Sequence, residues 1–473
     1  MGFEPTVRFL GHHISSVALS TTQPPHQHRK PDYILPEIEK NDIFLPLASS
    51  SSLVRTSPFH GENSGSNPDE VTMKILAIET SCDETAVSIL ECSGEAHLPS
   101  CTVLGTGLYS QASKHAQYGG VYPNLAKREH QQNLIPMLRI ALEESDLNNS
   151  KTKTQNTKEV GSISLIEKIL EREQDLLEHC KTYFAEYPHN PGIEAVAVTQ
   201  GPGLEPALWV GLNFGKALSA FWNVPLIPVN HMEGHIVSVL INKNDHSKSK
   251  IQNTKINFPA IALLVSGGHT ELQLVSGWGS YKLLGQTRDD AVGEAFDKVA
   301  RLLDLPYPGG PEISRLAAQA RTENIKAPFT LPRPMISSDD FDFSYAGLKT
   351  AVLYKVKEIG TLSDQQKKEI AREFEDASIE VLVAKTKKAL KTTGAKTLIV
   401  GGGVVANTYL RDELTRMLSE FPDVSALFPT RELSTDNAVM IGVAGYIALK
   451  KNPDHFSVFS PDQTLRANGT LKL

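Results

Sequence analysis

Short apolar runs alternate along the chain with longer stretches in which apolar residues recur at the spacing of a helical face. The apolar runs predict β-strands at residues 75–79, 195–199, 261–265, 272–275 and 397–400. The periodic stretches predict helices at residues 125–144, 207–222, 290–303, 367–392 and 408–418. Strands that alternate with helices in this way are typical of an α/β fold.

Residues 1–72 differ from the rest of the chain because they sustain no hydrophobic period. They are rich in proline, serine, histidine and asparagine, which predicts a disordered extension. A second interpretation is a start assigned too far upstream, because residues 2–5 (Gly-Phe-Glu-Pro) resemble the translated T-arm of a tRNA gene; translation would then begin at Met73. A third is a mitochondrial transit peptide, since Glu4 is the one acid among the first thirty residues.

Two polar stretches, at roughly residues 148–161 and 242–257, are expected to be surface insertions in the α/β pattern. A charged helical run at residues 164–186 follows the first stretch and is predicted to face solvent. Together they make the first insertion extend over about residues 148–190.

Composition excludes some classes of protein. No apolar run is long enough to span a membrane as a helix, which predicts a soluble protein. The formal net charge of -7 argues against a surface covered with nucleic acid, although a local basic groove stays compatible with it. The four cysteines, Cys82, Cys92, Cys101 and Cys180, show no paired spacing and predict free thiols in a reducing compartment.

Three turns rich in glycine or hydroxyl residues each follow a predicted strand, at residues 79–85, 265–270 and 400–407. Glycine lets the backbone approach a ligand closely, and free backbone N–H groups bind anionic oxygens. One such turn alone is more often an ordinary tight turn, but three in this order favour phosphate binding. The first two have apolar runs on both sides, as phosphate-binding hairpins have.

His231 and His235 stand four residues apart, a spacing that puts both imidazoles on one face of a helix and suits one metal ion. The motif differs from that of zinc proteases, in which glutamate directly follows the first histidine, and Glu233 would point away from the pair. An isolated pair at this spacing is more often structural. Asp436 is a candidate third ligand, but spacing cannot connect it to the pair.

Asp297 lies in a segment that follows a strand and opens a helix. It either belongs to the charged face of a capped helix or accepts hydrogen bonds from ligand hydroxyls, and the residues alone leave both interpretations open. Gly310, in a proline-rich turn, would let a ring lie against the backbone.

Together these residues resemble the universal tRNA N6-adenosine threonylcarbamoyltransferase family of the bacterial and mitochondrial type, formerly called the O-sialoglycoprotein endopeptidase or glycoprotease family. The resemblance runs from about Met73 to Ala448 and rests on long blocks at residues 79–85, 115–125, 201–204, 231–235, 265–270, 293–300, 343–349 and 434–438. It implies an α/β fold of the actin, sugar-kinase and heat-shock-chaperone superfamily, in which two similar subdomains surround a nucleotide cleft. We expect an N-terminal subdomain at residues 73–230. A C-terminal subdomain at residues 231–473 would carry the second phosphate loop and the adenosine loop.

The resemblance also implies roles for individual residues. His231, His235 and Asp436 together would bind one divalent metal, iron(II) or, as the alternative, zinc. The residues that match the family's contacts to the substrate nucleotide are Leu264, Val265, Ser266, Gly267, Gly268, Asp297, Gly310 and Asn407. No residue in the motifs is an evident acceptor for the amine proton, so no catalytic residue is assigned. Lys349 and its loop are expected to contribute to tRNA binding.

The branch of the family decides the partners. Leu264 and Ser314 stand where archaeal and eukaryotic cytosolic members have a tyrosine and an acid, whereas residues 200–209 are closer to archaeal members. The implied partners are tRNA and threonylcarbamoyl-AMP. A paralogous inactive subunit and a small ATPase would join a bacterial protein, and a second copy a mitochondrial one. We expect a cytoplasmic protein, or a mitochondrial one if residues 1–72 contain a transit peptide.

The implied reaction is acyl transfer from threonylcarbamoyl-AMP to the N6 amine of the tRNA adenosine beside the anticodon, with release of AMP. A small-molecule kinase would share the fold but needs an acidic base and consumes ATP. A metalloprotease is suggested by the histidine pair and disfavoured by its order. A non-catalytic scaffold would usually have lost metal ligands, and here all three are present.

Overall fold

Two five-stranded sheets organise the residues that the computed structural model describes, 72–147, 163–241 and 256–473. The strands of the first sheet are β1 (Met73–Glu79), β2 (Glu84–Glu95), β3 (Leu98–Ser110), β4 (Ala195–Gly201) and β5 (Leu226–Asn230). Those of the second are β6 (Ala260–Val265), β7 (Thr270–Gly277), β8 (Ser280–Gln286), β9 (Thr397–Gly401) and β10 (Ser425–Leu427). The expected extension at 1–72 and the two polar insertions fall almost entirely outside the described residues.

The two sheets repeat one topology. The first has the strand order β3-β2-β1-β4-β5, and the second, read the same way, has the order β8-β7-β6-β9-β10. In each sheet the central strand pairs antiparallel with the next strand of a hairpin and parallel with the strand on its other side. This repetition confirms the predicted fold class of two similar α/β halves.

Most of the described helices lie between strands along the chain, and the last two α-helices follow the last described strand. They are α1 (Ala112–Ala116), α2 (Pro123–Glu144), α3 (Ile163–Ile169), α4 (Gln174–Glu186), α5 (Glu205–Trp222), α6 (His231–Val237), α7 (Val292–Leu302), α8 (Gly309–Thr322), α9 (Ala346–Ile359), α10 (Asp364–Thr393), α11 (Thr408–Leu418), α12 (Arg431–Ser434) and α13 (Ala438–Lys451). No described helix has both the length and the apolarity that crossing a membrane requires.

The central strand of each sheet is buried on both faces, which explains its continuous apolar sequence. In β6, Ile261 and Leu263 face a cluster on the helix-covered outer side of the second sheet. Ala262 and Leu264 face a central cluster that contains residues of both sheets. Strand β1 divides its side chains in the same way, so each half is packed from both sides.

The C-terminal helix α13 packs on the first sheet, against β1, β2, β4 and β5. Two glycines permit this close packing: a Cβ at Gly442 would lie 2.5 Å from Leu90 Cδ1, and one at Gly445 would lie 2.6 Å from Ala197 Cβ. The last long helix described therefore covers the sheet that contains the first described strand. The subdomain boundary at residues 230–231 stays a prediction.

The prediction that residues 164–186 face solvent is wrong for one side of each helix that they form. The run forms α3 and α4, and Ile166, Leu176, Cys180 and Phe184 are buried in the outer cluster of the first sheet. Charged residues occupy the opposite sides of these helices. Amphipathic spacing, rather than overall polarity, decides where such a segment lies.

The prediction of four free thiols is wrong for two of the cysteines. Cys92 and Cys101 are cross-strand partners on β2 and β3 and form a disulfide, with their Cα atoms 4.0 Å apart. The sequence concealed this pairing because the hairpin between them was not among the predicted strands. Cys82 and Cys180 are free.

Candidate metal centre and nucleotide pocket

The two histidines at helical spacing lie on α6, which begins directly after β5. Asn230 ends the strand and caps the helix, since its side chain accepts a hydrogen bond from the Met232 N–H at 2.9 Å. The ring centroids of His231 and His235 are 4.6 Å apart. Both imidazoles are buried, so the pair lies inside the molecule rather than on a solvated helix face.

Asp436 reaches the same place from the loop between α12 and α13. Its Oδ1 lies 3.3 Å from His231 Nε2 and 3.2 Å from His235 Nε2. One ligand atom from each of the three residues lies within 4.8 Å of the others. The chain is fixed beside Asp436 because the Asn437 side chain accepts a hydrogen bond from the Met440 N–H at 3.0 Å, capping α13. The fold thus brings together the three residues that sequence spacing could not connect.

This set of donors fits a divalent metal ion. Both ring nitrogens of His235 are buried, and apart from the 3.2 Å approach of Nε2 to Asp436 neither has a hydrogen-bond partner among the described residues, an unfavourable arrangement unless a ligand takes a lone pair. Burial tends to lower the pKa of His231, but the Asp436 and Glu79 carboxylates raise that pKa well above its usual range. The site therefore favours a positive charge. Two imidazoles and one carboxylate also leave coordination positions open, as catalytic metal sites do.

Glu79, the last residue of β1, opens the first predicted turn, but the sequence patterns did not indicate its role beside the histidines. Its buried Oε2 lies 2.9 Å from His231 Nδ1 and accepts a hydrogen bond from the Thr199 hydroxyl at 2.6 Å. The Ser81 N–H donates to its other oxygen. A metal-binding histidine commonly donates a hydrogen bond from the N–H of its second ring nitrogen to such a carboxylate, which fixes the ring and its tautomer. The sequence signal that could have identified Glu79 is an acidic residue at the end of an otherwise apolar strand.

The first two glycine- or hydroxyl-rich turns are hairpin turns at equivalent places in the two sheets, between β1 and β2 and between β6 and β7. In the second turn the Ser266 N–H already bonds the His269 carbonyl at 2.9 Å. Gly267 and Gly268 are exposed, and a Cβ on either would meet nothing within 4 Å. These two glycines are therefore the part of the turn whose backbone is open to an anion.

The third turn leads from β9 into α11. Gly402 has a φ of 96°, and a Cβ there would lie 2.3 Å from the Val265 carbonyl oxygen, so the turn requires glycine. Asn407 caps α11 and donates to Ser314 Oγ at 2.8 Å and to Glu375 Oε1 at 2.7 Å. Its side chain is engaged with protein groups, and its contact with a nucleotide stays a prediction.

Asp297 lies on α7 and faces the start of α8. Its Oδ1 accepts hydrogen bonds from the Gly309 N–H at 2.8 Å and the Gly310 N–H at 3.3 Å. Burial raises the pKa of Asp297, and the two N–H groups oppose that shift. Asp297 and Gly309 line an open pocket together with residues that include Gly119, Arg301 and Tyr307.

Other residues that the sequence analysis singled out lie in the core or form hydrogen bonds with neighbouring side chains. The side chains of Leu264 and Val265 are fully buried in β6, so neither reaches the surface. Lys349, expected to contribute to tRNA binding, donates to Asp290 at 2.6 Å. Glu233 accepts a hydrogen bond from the Tyr281 hydroxyl at 2.6 Å and is not among the candidate metal ligands.

Comparison with known proteins identifies a family whose sequences are similar to this chain. The family model described as tRNA N6-adenosine threonylcarbamoyltransferase matches residues 102–154 and 172–443. A protein of that name from Nitrosomonas europaea (strain ATCC 19718) is 40% identical over 400 residues, which cover 84% of this chain and 97% of the relative.

The solved structures that match the chain do so with low sequence identity and low TM-scores. Full-length HypF in its phosphate- and nucleotide-bound form matches with a TM-score of 0.43 and 13% identity, over 82% of this chain and 47% of that chain. The activator of 2-hydroxyisocaproyl-CoA dehydratase from Clostridium difficile with bound ADPNP matches with a TM-score of 0.38 and 9% identity, over 82% of this chain and 100% of that chain.

Proposed function

Since the chain belongs to the tRNA N6-adenosine threonylcarbamoyltransferase family, we propose that it transfers the threonylcarbamoyl group of threonylcarbamoyl-AMP to the N6 amine of the adenosine beside the anticodon. The substrates are tRNAs that read codons beginning with adenine. The observation that carries the metal-dependent part of the proposal is the convergence of His231, His235 and Asp436. The first turn lies beside this cluster, since Ser81 Oγ is 3.2 Å from His231 Nδ1.

We assign one divalent metal to the cluster, iron(II) with zinc as the alternative. When bound, the ion supplies a Lewis acid or a template for the donor. His231, His235 and Asp436 would hold it, and Glu79 would keep the His231 ring in its orientation.

The transfer forms a bond between N6 of adenosine and the carbamoyl carbon and breaks the bond from that carbon to the phosphate oxygen of AMP. The electron pair of the broken bond leaves with AMP, and one proton of the amine passes to solvent. AMP is a good leaving group, so the protein's contribution is positioning and stabilisation of charge on oxygen. The open amides of Gly267 and Gly268 would hold phosphoryl oxygens. Asp297, beside the pocket, would accept hydrogen bonds from hydroxyl groups of the nucleotide.

The partners that we propose follow the bacterial branch. The 40% identity with the Nitrosomonas europaea protein supports this choice. They are tRNA, a paralogous inactive subunit and a small ATPase, in the cytoplasm. A second copy of the chain would replace the protein partners in a mitochondrial protein.

The decisive experiment supplies the purified protein with synthetic threonylcarbamoyl-AMP, unmodified tRNA and the bacterial partner proteins. Mass spectrometry of the nucleosides should detect threonylcarbamoyladenosine. If adenosine stays unmodified while the protein phosphorylates a small molecule with ATP, or cleaves a glycoprotein, the proposed function is wrong.

Two variants separate the roles within the site. His231→Ala should abolish both metal binding and transfer with the fold intact, because removing one of three protein ligands weakens metal binding severely. Asp297→Ala should retain the metal and weaken donor binding. His179→Ala removes an exposed histidine of α4 and is the matched control that should behave like the wild type.

A further inference from the structure

An exposed pair of aromatic rings stands beside the nucleotide pocket. Tyr118 is 56% exposed and Tyr122 is 50% exposed, although their rings stack on each other with centroids 5.5 Å apart and planes inclined by 21°. We propose that this pair is a stacking platform for unpaired bases of the tRNA anticodon loop. The proposal rests on the proposed function, which makes tRNA the substrate, and adds the surface that receives it.

Hydrogen bonds hold the backbone of the platform. The Tyr118 N–H bonds the His115 carbonyl at 2.9 Å, and the Tyr122 N–H bonds His115 Nδ1 at 3.2 Å. His115 is itself fully buried. From the second half of the molecule, Arg301 of α7 donates to the carbonyl of Gly119, which lies between the tyrosines. A surface ordered before binding loses little conformational entropy when a ligand arrives.

The position of the platform suits the reaction. Gly119 lines the pocket together with Asp297 and Gly309, so the tyrosines flank residues to which we assign the donor nucleotide. A base stacked on the tyrosines would therefore lie next to the place where the donor is bound. An adjacent adenosine of the same loop could then present its N6 amine to the pocket.

Two cations that follow the platform along the chain favour RNA over an apolar protein partner. Lys127 and Arg128 lie in the first turns of α2, directly after Tyr122, with side chains 32% and 61% exposed. Their nearest acidic groups are 3.8 Å and 4.0 Å away, which are long contacts. Proteins recognise single-stranded RNA loops with aromatic rings for the bases and with cations for the phosphates. Both kinds of group are present here.

The test measures binding of a fluorescent RNA hairpin that carries an unmodified anticodon loop to the full-length protein. Replacing both tyrosines, Tyr118→Ala with Tyr122→Ala, should weaken binding by about tenfold or more, since stacking on one aromatic ring is worth roughly 1–3 kcal/mol per base. Tyr118→Phe with Tyr122→Phe keeps both rings and should retain the wild-type affinity. Tyr354→Ala removes a tyrosine of α9 that is 66% exposed and is the matched control.

The salt dependence separates stacking from charge. The double alanine variant should keep the wild-type slope of affinity against salt concentration, because no phosphate contact is lost. Unchanged affinity in that variant, or no measurable binding by the wild type, would overturn the platform. Transfer activity with a wild-type KM for tRNA in the double alanine variant would overturn it while leaving the proposed function intact. A wild type that binds the hairpin through these rings but transfers nothing would overturn only the proposed function.

Discussion

At the residue scale, Glu79 joins parts of the site that are far apart in the sequence. Its carboxylate contacts Thr199 of β4 and His231 of α6 from the end of β1. Because all three groups are buried, their positions are fixed by the meeting of two strands and a helix. The geometry of the candidate metal centre thus depends on a residue outside the proposed ligand set.

We predict that Glu79→Gln weakens metal binding by about 10- to 100-fold, the usual effect of losing such an outer carboxylate. The amide keeps the size of the side chain but removes the charge that favours a donating His231 Nδ1. Metal affinity should be measured by competition with a chelator, and circular dichroism should show an intact fold. Glu91→Gln, which changes a half-buried acid of β2 paired with Lys74, is the control. Equal metal affinity in the two variants would contradict the assigned role.

His130 predicts how stability depends on pH. Burial lowers its pKa from 6.5 to about 4, and its ring nitrogens bond the Thr85 hydroxyl and the Cys82 carbonyl. As the pH falls below 6.5, the unfolded chain binds a proton at this residue before the folded chain does. The folded state should therefore lose up to about 3 kcal/mol between these two pKa values.

Urea unfolding of the wild type and of His130→Gln, at a series of pH values, measures this contribution. The variant has lower stability at neutral pH but lacks the titrating group, so its profile should be flatter across that range. Parallel profiles would show that His130 does not carry this pH dependence.

Sequence spacing predicted a shared site only for residues that lie close together along the chain. His231 and His235 are one helical turn apart, so their shared face follows from the spacing. Asp436 and Glu79 lie beside the same histidines because of the strand order and the helix packing, and neither can be derived from sequence spacing. Asp436 was found by family resemblance, whereas Glu79 required the structure.

At the element scale, strands were predicted where both faces are buried, as in β1, β4, β6 and β9. Strand β3 was missed because glycine is unfavourable in strands and two glycines interrupt its pattern. The structure explains them: a Cβ at Gly105 would lie 2.1 Å from the Ala141 carbonyl oxygen, and one at Gly107 would lie 2.4 Å from that of Met137. Close packing of α2 on the strand thus requires glycines that weaken the strand signal.

The same reasoning gives a prediction for α13. Gly445→Ala would place a methyl group 2.6 Å from Ala197 Cβ, so α13 must shift away from the sheet. We expect a loss of about 1–3 kcal/mol in the free energy of unfolding. Gly347→Ala in α9 is the matched control, because a Cβ there meets nothing within 4 Å. It should be neutral or stabilise by about 0.5–1 kcal/mol, the usual gain from alanine in a helix. Urea denaturation of both variants measures the difference, and equal effects would contradict close packing at Gly445.

At the scale of the whole molecule, the repeated sheet topology followed from the family resemblance rather than from the apolar pattern. The pattern indicated alternating strands and helices, but a pattern of this kind does not determine strand order. The return of α13 to the first sheet was equally hidden, because packing between the ends of a chain leaves no local signal.

Deletion of residues 1–72 tests their predicted lack of a core. The truncated chain still begins with a complete β1, which starts at Met73. Melting temperature and transfer activity should be those of the full chain. A large fall in melting temperature would show that the deleted residues contribute to the stability of the body.

The position of α13 has a consequence for how the protein is made. A ribosome releases β1 to β5 long before it synthesises Ala438–Lys451. During that interval the apolar sheet surface around Ala77, Leu90 and Ala197 lacks its covering helix, and such surfaces are prone to aggregate in nascent chains. Asp436 lies just before α13, so the last of the three candidate metal ligands and the missing helix emerge together. A chain truncated before that point would lack both. Only a chain whose synthesis is nearly complete could therefore bind a metal at the proposed cluster.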